Sequence, residues 1–308
     1  MSTATAPTTA EATTTFRAGV VIVAHNREEL IERAIRSVFA QTIDVHALTL
    51  TVVDAASTDD TASRIRETLA DAPEGLDVRT VHEPSGRASA ARNLGWRSTA
   101  ADVIAFLDDD AVADPSWIAR ALDALDGSER IQALAGHTEI EWLGAPPPPV
   151  EANAAAMFTA LDYGDTPCRL HYPRAPIGPN MIVRRSALER VGGFDPELGP
   201  GPDQRFVCEE GDLSLRIEQS GGEVHYRPDV RVAHLTPSAR VTREYLHDRA
   251  RIHGRSRAIV DQKHFGGGRA WRQLVRPVWR LLRHRSGLGL ALDLAYAKAY
   301  FNQRRSSH

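Results

Sequence analysis

Residues 103–110, VIAFLDDD, decide the fold. The first five are an unbroken apolar run, which reads as a strand covered on both faces within a parallel sheet. The run stops at Asp108-Asp109-Asp110, and open parallel sheets bind their ligands at the carboxyl ends of their strands. The same grammar recurs upstream. Residues 19–24 (GVVIVA) end at His25-Asn26, residues 48–53 (LTLTVV) end at Asp54, and residues 78–82 give a third strand. Between them Leu30, Ile31, Ala34, Ile35, Val38 and Phe39 share one helical face. Ser57-Thr58-Asp59-Asp60-Thr61 supplies helix-capping residues, and residues 89–96 open a further helix. This alternation predicts an α/β fold, a mostly parallel sheet flanked by helices.

Toward the C-terminus the pattern loosens. Residues 142–150, with four consecutive prolines at 146–149, predict a linker or rigid loop and not a helix or central strand. A short strand is expected over 178–184 and a helix over 186–191, ending at Gly192-Gly193. The loop Gly199-Pro200-Gly201-Pro202 leads to Glu209-Glu210-Gly211-Asp212, then a helix over 213–219. Residues 224–234 read as two short strands around Pro228-Asp229, and Arg-rich helices follow Ser238.

At 308 residues the chain can bury a substantial core, and 42% hydrophobic with 25% charged residues is ordinary for a globular protein. A net charge of −3 argues against a general nucleic-acid binder. From Ser238 onward sixteen Lys/Arg face four acids, so the remainder is strongly acidic. Two cysteines, Cys168 and Cys208, are too few for a disulfide framework, and a reducing cytoplasm is the expected setting. Residues 1–15, rich in Thr and Ala, read as a disordered leader and not a signal peptide. No uncharged apolar run approaches the roughly 18 residues that span a bilayer.

Three adjacent acids repel one another, and one would be held protonated unless a cation neutralises them. Mg²⁺ or Mn²⁺ takes carboxylate oxygens together with substrate phosphates. Residues i and i+2 of an extended segment point the same way, so Asp108 and Asp110 can face one ion. The plainer alternative is a solvated acidic turn before a helix near Asp114-Pro115. Asp54 can accept a hydrogen bond from a base or ribose, or can simply cap the next helix. One carboxylate of the Glu209, Glu210, Asp212 cluster can take a proton from an attacking hydroxyl, although acids also suit a helix N-terminus. His234, ending a strand, is either a further metal ligand or structural.

Together these segments resemble family 2 glycosyltransferases, from about Ala18 to Thr236. VVIVAHNREELIERAIRSVFAQT is similar to that family's first strand and helix, VVDAASTDDT to its Val-Val-Asp-Asp-Gly-Ser-Thr-Asp segment, and GRASAARNLGW to its Gly-x-x-x-Ala-Arg-Asn-x-Gly helix. FLDDDAVADPSWI resembles the metal-binding D-x-D segment. GPNMIVRRSALERVGGFDPELG and EEGDLSLRIEQSGGEVHYRPDVRVAH resemble the acceptor half with its Glu-Asp-x-Asp motif and terminal histidine. The resemblance implies a GT-A (Rossmann-like) fold with a C-terminal helical extension. It implies an inverting, metal-dependent enzyme that moves a sugar from a nucleoside-diphosphate donor, UDP or dTDP, to a hydroxyl-bearing acceptor such as a glycan, a lipid-linked intermediate or a small natural product.

The same resemblance implies roles for individual residues. Asp54 takes the nucleobase, Ala24, Asn26 and Glu28 line the nucleotide pocket, and Arg92 lies near the donor. Asp108 and Asp109 face the nucleotide, while Asp108, Asp110 and His234 hold Mn²⁺ or Mg²⁺. Glu210 is the general base, Glu209 its neighbour and competitor, and Asp212 supports the helix. Residues 16–115 become the nucleotide-sugar half, 116–238 the acceptor and catalytic half, and 239–308 a basic helical region. There are three departures from the pattern: Ala55-Ala56 replaces Asp-Gly, His25 replaces Tyr, and Glu210 replaces Asp.

Other classes fit less well. A nucleotidyltransferase would want a Gly-rich phosphate loop after the first strand and a dehydrogenase G-x-G-x-x-G, where this chain has AHNREE. A non-catalytic nucleotide-sugar-binding module would account for Ala55-Ala56 but not for DDD, EEGD and His234 together. In the C-terminal region Trp271, Leu274, Val275, Val278 and Leu282 recur at helical spacing among arginines, with Pro277 as an interruption. A second stripe is Leu290, Leu294, Ala297 and Phe301. These helices pack on the catalytic domain or a second subunit, or lie on the inner face of the membrane. His253-Gly254-Arg255-Ser256-Arg257 is placed to reach a donor diphosphate or a phosphorylated acceptor.

Overall fold

A computed structural model describes residues 16–144, 156–202, 206–266 and 287–306 of the chain. The apolar run ending at Ala24 is strand β1 (Ala18–Ala24), and its alternating side chains divide the core in two. Val20, Ile22 and Ala24 pack with the apolar stripes of α1 (Ile31–Phe39) and α4 (Trp117–Asp126). Val21 faces the other way, toward Ala91 and Trp96 of α3 (Ala88–Arg97). Gly95 lets α3 lie this close, because a Cβ there would fall 2.3 Å from a Val21 methyl.

Four strands form the expected parallel half. β1 pairs with β2 (Leu48–Asp54) and β4 (Val103–Asp108), and β2 pairs with β3 (Asp77–His82) across the connecting helix α2 (Thr61–Leu69). The register sets Ala24 beside Asp54, Asp54 beside His82 and Val23 beside Asp108, so the strand ends share one edge.

The other half is mixed. β4 pairs antiparallel with β8 (Met181–Arg184), β8 antiparallel with β6 (Ile131–Leu143), and β6 parallel with β9 (Glu223–Pro237). β9 also receives β5 (Ala111–Ala113) and β7 (Cys168–Leu170), both antiparallel. The full order is β3-β2-β1-β4-β8-β6-β9-β5. β5 and β6 have no counterpart in the sequence reading, and α4 follows Asp114-Pro115, where that reading admits a helix.

Two expectations need correction. Residues 224–234 belong to one long strand, not two short ones; Pro228-Asp229 lies at a register shift between Gly136/Arg227 and His137/Arg231. A bulge tolerates a proline because no ladder donor is needed there. Asn180 closes the gap: its Nδ2 donates to the carbonyls of His137 and Val230, and its Oδ1 accepts from Trp117 Nε1 at 2.9 Å. Likewise Trp142 and Leu143 are the end of β6, paired with Thr236 and Pro237. The prolines at 146–149 lie outside the described residues, as does the 1–15 leader.

Helix α5 (Arg185–Val191) ends at Gly192, whose φ of 82° suits glycine. Helix α6 (Glu209–Gln219) starts earlier than its apolar spacing suggested and carries Glu209, Glu210 and Asp212 in its first turn. Helices α7 (Arg243–Phe265) and α8 (Gly287–Ser306) cross at Gly254, where a Cβ would stand 2.3 Å from the Tyr296 carbonyl oxygen. Leu246, Ala250, Leu292 and Phe158 form a small third core that joins them to the sheet domain. Of the stripe expected on α8, Leu294 is 52% exposed and Ala297 and Phe301 are half-buried, while Leu292, Ala299 and Tyr300 are the buried positions. Residues 271–282 lie outside the described residues. Among the described residues no helix is long and apolar enough to cross a membrane.

Candidate active site

At the end of β2, Asp54 accepts from the Ser57 amide at 3.1 Å and approaches His82 Nδ1 at 3.3 Å. Asn26 adopts φ 52°, a left-handed conformation that asparagine tolerates, and its Oδ1 accepts from the Thr58 amide at 2.8 Å. Glu28 Oε2 accepts from the Asp60 amide at 2.9 Å. Asn26 and Glu28 therefore brace the loop before α2. Ala24 is buried beneath it, with its carbonyl accepting from Ala55 N. Ala56 has φ 55°, a conformation that favours glycine. His25 Nδ1 lies 2.7 Å from the Ala55 carbonyl.

The three acids after β4 diverge toward three basic groups. Asp108 meets Arg92 Nη2 at 3.2 Å, Asp109 meets Arg27 Nε at 3.2 Å, and Asp110 meets His234 Nε2 at 3.1 Å. The last pair exists because β5 sets Ala111 opposite His234 in β9. Asp109 also accepts from the His25 amide at 3.0 Å. Burial, then the neighbouring Asp110, pushes the Asp109 carboxyl up to about 8. Burial also raises Asp108, against the pull of Arg92. Asp110 is held below its ordinary value: burial opposes this, but the His234 hydrogen bond and charge, with Arg27 and Arg240, prevail.

Among the described residues no three His, Cys, Asp or Glu side chains are gathered as a metal cage. The donor set nevertheless fits a divalent ion completed by a ligand. Asp110 and His234 set a carboxylate and an imidazole 3.1 Å apart, His234 Nδ1 is oriented by Thr236 Oγ1 at 3.0 Å, and Asp108 brings a further carboxylate at the end of β4. Mg²⁺ and Mn²⁺ commonly use one or two carboxylates plus substrate phosphates.

Arg92 ties this edge to helix α6. Its Nη1 lies 2.7 Å from Glu209 Oε1, and its Nη2 lies 3.9 Å from Glu210 Oε1. Gly178 makes room, since a Cβ there would come within 2.7 Å of Arg92 Nη2 and 2.9 Å of Asp108 Oδ2. The three carboxylates hold the Arg92 pKa above its ordinary value despite complete burial. Glu209 is sealed, its side chain 3% exposed, whereas that of Glu210 is 14% exposed. Burial and the charge of Glu209 push Glu210 up to about 8. Asp212 lies apart from this group: it is buried against Arg216, Lys263 Nζ at 3.0 Å and His264 Nε2 at 2.7 Å, and so fastens α6 to the end of α7.

Sequence reasoning missed Arg27, Arg240 and Gly178. Arg27 stood in plain view between Asn26 and Glu28, directly after β1, but nothing local points it at residues 83 positions away. Arg240 and Gly178 had no signal before β9 and the turn at residues 178–180 were placed.

With this geometry in place, comparison with known proteins is specific. The profile of glycosyl transferase family 2 matches residues 19–192, and the chain belongs to that family. It is 26% identical over 253 residues to a glucosyl-dolichyl phosphate glucuronosyltransferase of Haloferax volcanii, covering 80% of this chain and 78% of that one. It is 29% identical over 204 residues to a validoxylamine A glucosyltransferase of Streptomyces hygroscopicus, covering 58% of this chain and 47% of that one. The fold is similar to that of the mannosyltransferase PcManGT from Pyrobaculum calidifontis in complex with GDP-Man and Mn²⁺. That match has TM-score 0.65 at 17% identity and covers 95% of this chain and 88% of the other. Staphylococcus aureus TarS in complex with UDP-GlcNAc superposes with TM-score 0.55 at 16% identity, over 94% and 89% of the two chains.

Proposed function

We propose that the chain transfers a sugar from a nucleoside-diphosphate sugar, UDP or dTDP being the donors in view, to an acceptor hydroxyl with inversion at the anomeric carbon. The observation that carries this reading is the Arg92 guanidinium, which joins Asp108 at the nucleotide edge to Glu209 and Glu210 at the start of α6. Family membership and the nucleotide-sugar complexes of PcManGT and TarS support it.

Asp108, Asp110 and His234 would hold Mn²⁺ or Mg²⁺ together with the donor diphosphate. When bound, such an ion neutralises charge on the leaving diphosphate. Asp54, at the far end of the edge, takes the nucleobase or ribose, and the braced loop before α2 keeps it in place. Glu210 accepts the proton of the acceptor hydroxyl, whose oxygen then bonds to the anomeric carbon as the bond to the diphosphate oxygen breaks. Glu209 is left to anchor Arg92, since its Oε1 is held by that guanidinium and its side chain is only 3% exposed.

The test is binding and slow hydrolysis of a panel of nucleotide sugars with Mn²⁺, Mg²⁺ or EDTA. Metal-dependent release of one nucleoside diphosphate upholds the reading and names the donor. Failure to bind any of them removes it in favour of a non-catalytic module.

A further inference from the structure

The transferase site leaves unused a cavity of about 830 Å³ between α7, α8 and the segment that carries β7, a volume usual for small-ligand sites. Its mouth is basic, with Arg169, His171 and Arg174 all exposed, and tyrosines line its walls. Arg169 and His171 are paired with Glu223 and Glu218. Arg174 has no carboxylate partner among the described residues and lies 5.1 Å from the centre of the Tyr163 ring. Deeper in, Arg257 stacks 3.9 Å from the centre of the Tyr172 ring.

Two acids, Asp261 and Asp293, share the wall, and Asp261 offsets part of the Arg257 charge. Asp261 accepts from the hydroxyls of Tyr172 and Tyr300 at 2.5 and 2.8 Å, beside Arg257 Nε at 3.3 Å. Asp293 has a partner of its own, and its Oδ2 is shut off from solvent without a hydrogen bond. A second observation points to a ligand: His253 on the same wall has an Nε2 that is shut off from solvent without a hydrogen-bond partner. Buried polar atoms are almost always satisfied, and a ligand oxygen would satisfy this one. The cavity also adjoins the transferase site. Val207, two residues before α6, donates its amide to Ser256 Oγ at 2.9 Å, and Ser256 precedes Arg257 in α7.

We propose that this cavity binds a phosphate group carried by the glycosyl acceptor, with Arg174 and Arg257 as its cationic contacts and the tyrosine faces supporting the attached sugar. The inference rests on the transferase reading and names its acceptor class. Tyrosine offers an apolar face for sugar C–H groups and a hydroxyl for hydrogen bonding, and arginine suits phosphate through its planar fork of donors.

Calorimetry on the full chain with glucose 1-phosphate, octyl glucosyl phosphate and neutral octyl glucoside tests it. The expected result is that a phosphate probe binds about tenfold or more tightly than octyl glucoside, and that Arg174→Gln, at the exposed mouth, removes most of that difference. Equal binding of the neutral and phosphorylated octyl glucosides, or an unchanged difference in Arg174→Gln, overturns the proposal. Within a positive result, tighter binding of the octyl form than of glucose 1-phosphate identifies a lipid-linked source, and equal binding a soluble one. Nucleotide-sugar binding on the same samples reports separately on the transferase reading. Its absence alongside phosphate-dependent binding would remove that reading and leave the cavity as an independent anion site.

Discussion

Arg92 and Glu209 form a buried ion pair, Nη1 to Oε1 at 2.7 Å, between residues 117 positions apart. The pair joins α3 to α6 and sets the acids of both halves around one guanidinium. Removing one partner strands the other charge out of water, which costs about 3–5 kcal/mol. Arg92→Gln is expected to lower the urea midpoint accordingly, and adding Glu209→Gln should restore part of the loss. A single variant as stable as the parent would mean the pair is not closed in solution.

Glu210→Gln is expected to lower kcat by about 10²–10⁴ while nucleotide-sugar affinity stays within about threefold. Glu209→Gln should act chiefly on stability, through Arg92. Full activity in Glu210→Gln would move the proton-accepting role elsewhere.

The pH dependence has a definite sign. Glu210 rises from an ordinary 4.5 to about 8 in the folded chain, so the folded state holds a proton that the unfolded state releases. Its contribution to stability is fully present below about 4.5 and is lost as pH rises toward 8. Transfer should gain rate over the same upper range as the carboxylate forms. Thermal midpoints of parent and Glu210→Gln, measured from pH 5 to about 9, should converge at the acid end and diverge in favour of the variant at the alkaline end.

Metal binding should release protons near neutral pH, since Asp109 is held at about 8 by burial and by Asp110. Mn²⁺ titrations in buffers of different ionisation enthalpy would reveal this as buffer-dependent heat. His234→Ala and Asp110→Asn are each expected to weaken Mn²⁺ binding by about tenfold or more. Heat independent of buffer would exclude Asp109 as the proton source.

Ala56→Gly should stabilise the chain by about 0.5–1 kcal/mol, because φ 55° penalises a Cβ more than glycine costs in unfolded-state entropy. A urea midpoint that is unchanged or lower would show that the loop relaxes around alanine.

Much of the nucleotide half was legible because its signals are local. The runs at 19–24, 48–53 and 103–107 each became a strand within a residue or so, and Asp54 and Asp108 fell at the ends of the last two as expected. The mixed half was harder to read. β5 is three residues long, β6 begins under a polar start, and β9 crosses Pro228-Asp229 by a bulge that only Asn180 and Gly136 explain. For Glu209 and Glu210 the sequence left a proton-accepting role and a charged helix N-terminus both open; the structure places both in the first turn of α6, with Glu209 on Arg92.

By itself the sequence determined the strand–helix alternation, the acids at the strand ends and the membership of the family, since apolar runs and short motifs act through neighbours in the chain. Only the tertiary structure decided which acid meets which cation. Asp110 finds His234 through the pairing of β5 with β9, Asp109 finds Arg27 across two parallel strands, and Glu209 rather than Glu210 takes the inner face of Arg92. Those choices depend on burial and on contacts between distant segments, and no local pattern encodes the low-dielectric surroundings that make a misplaced charge costly.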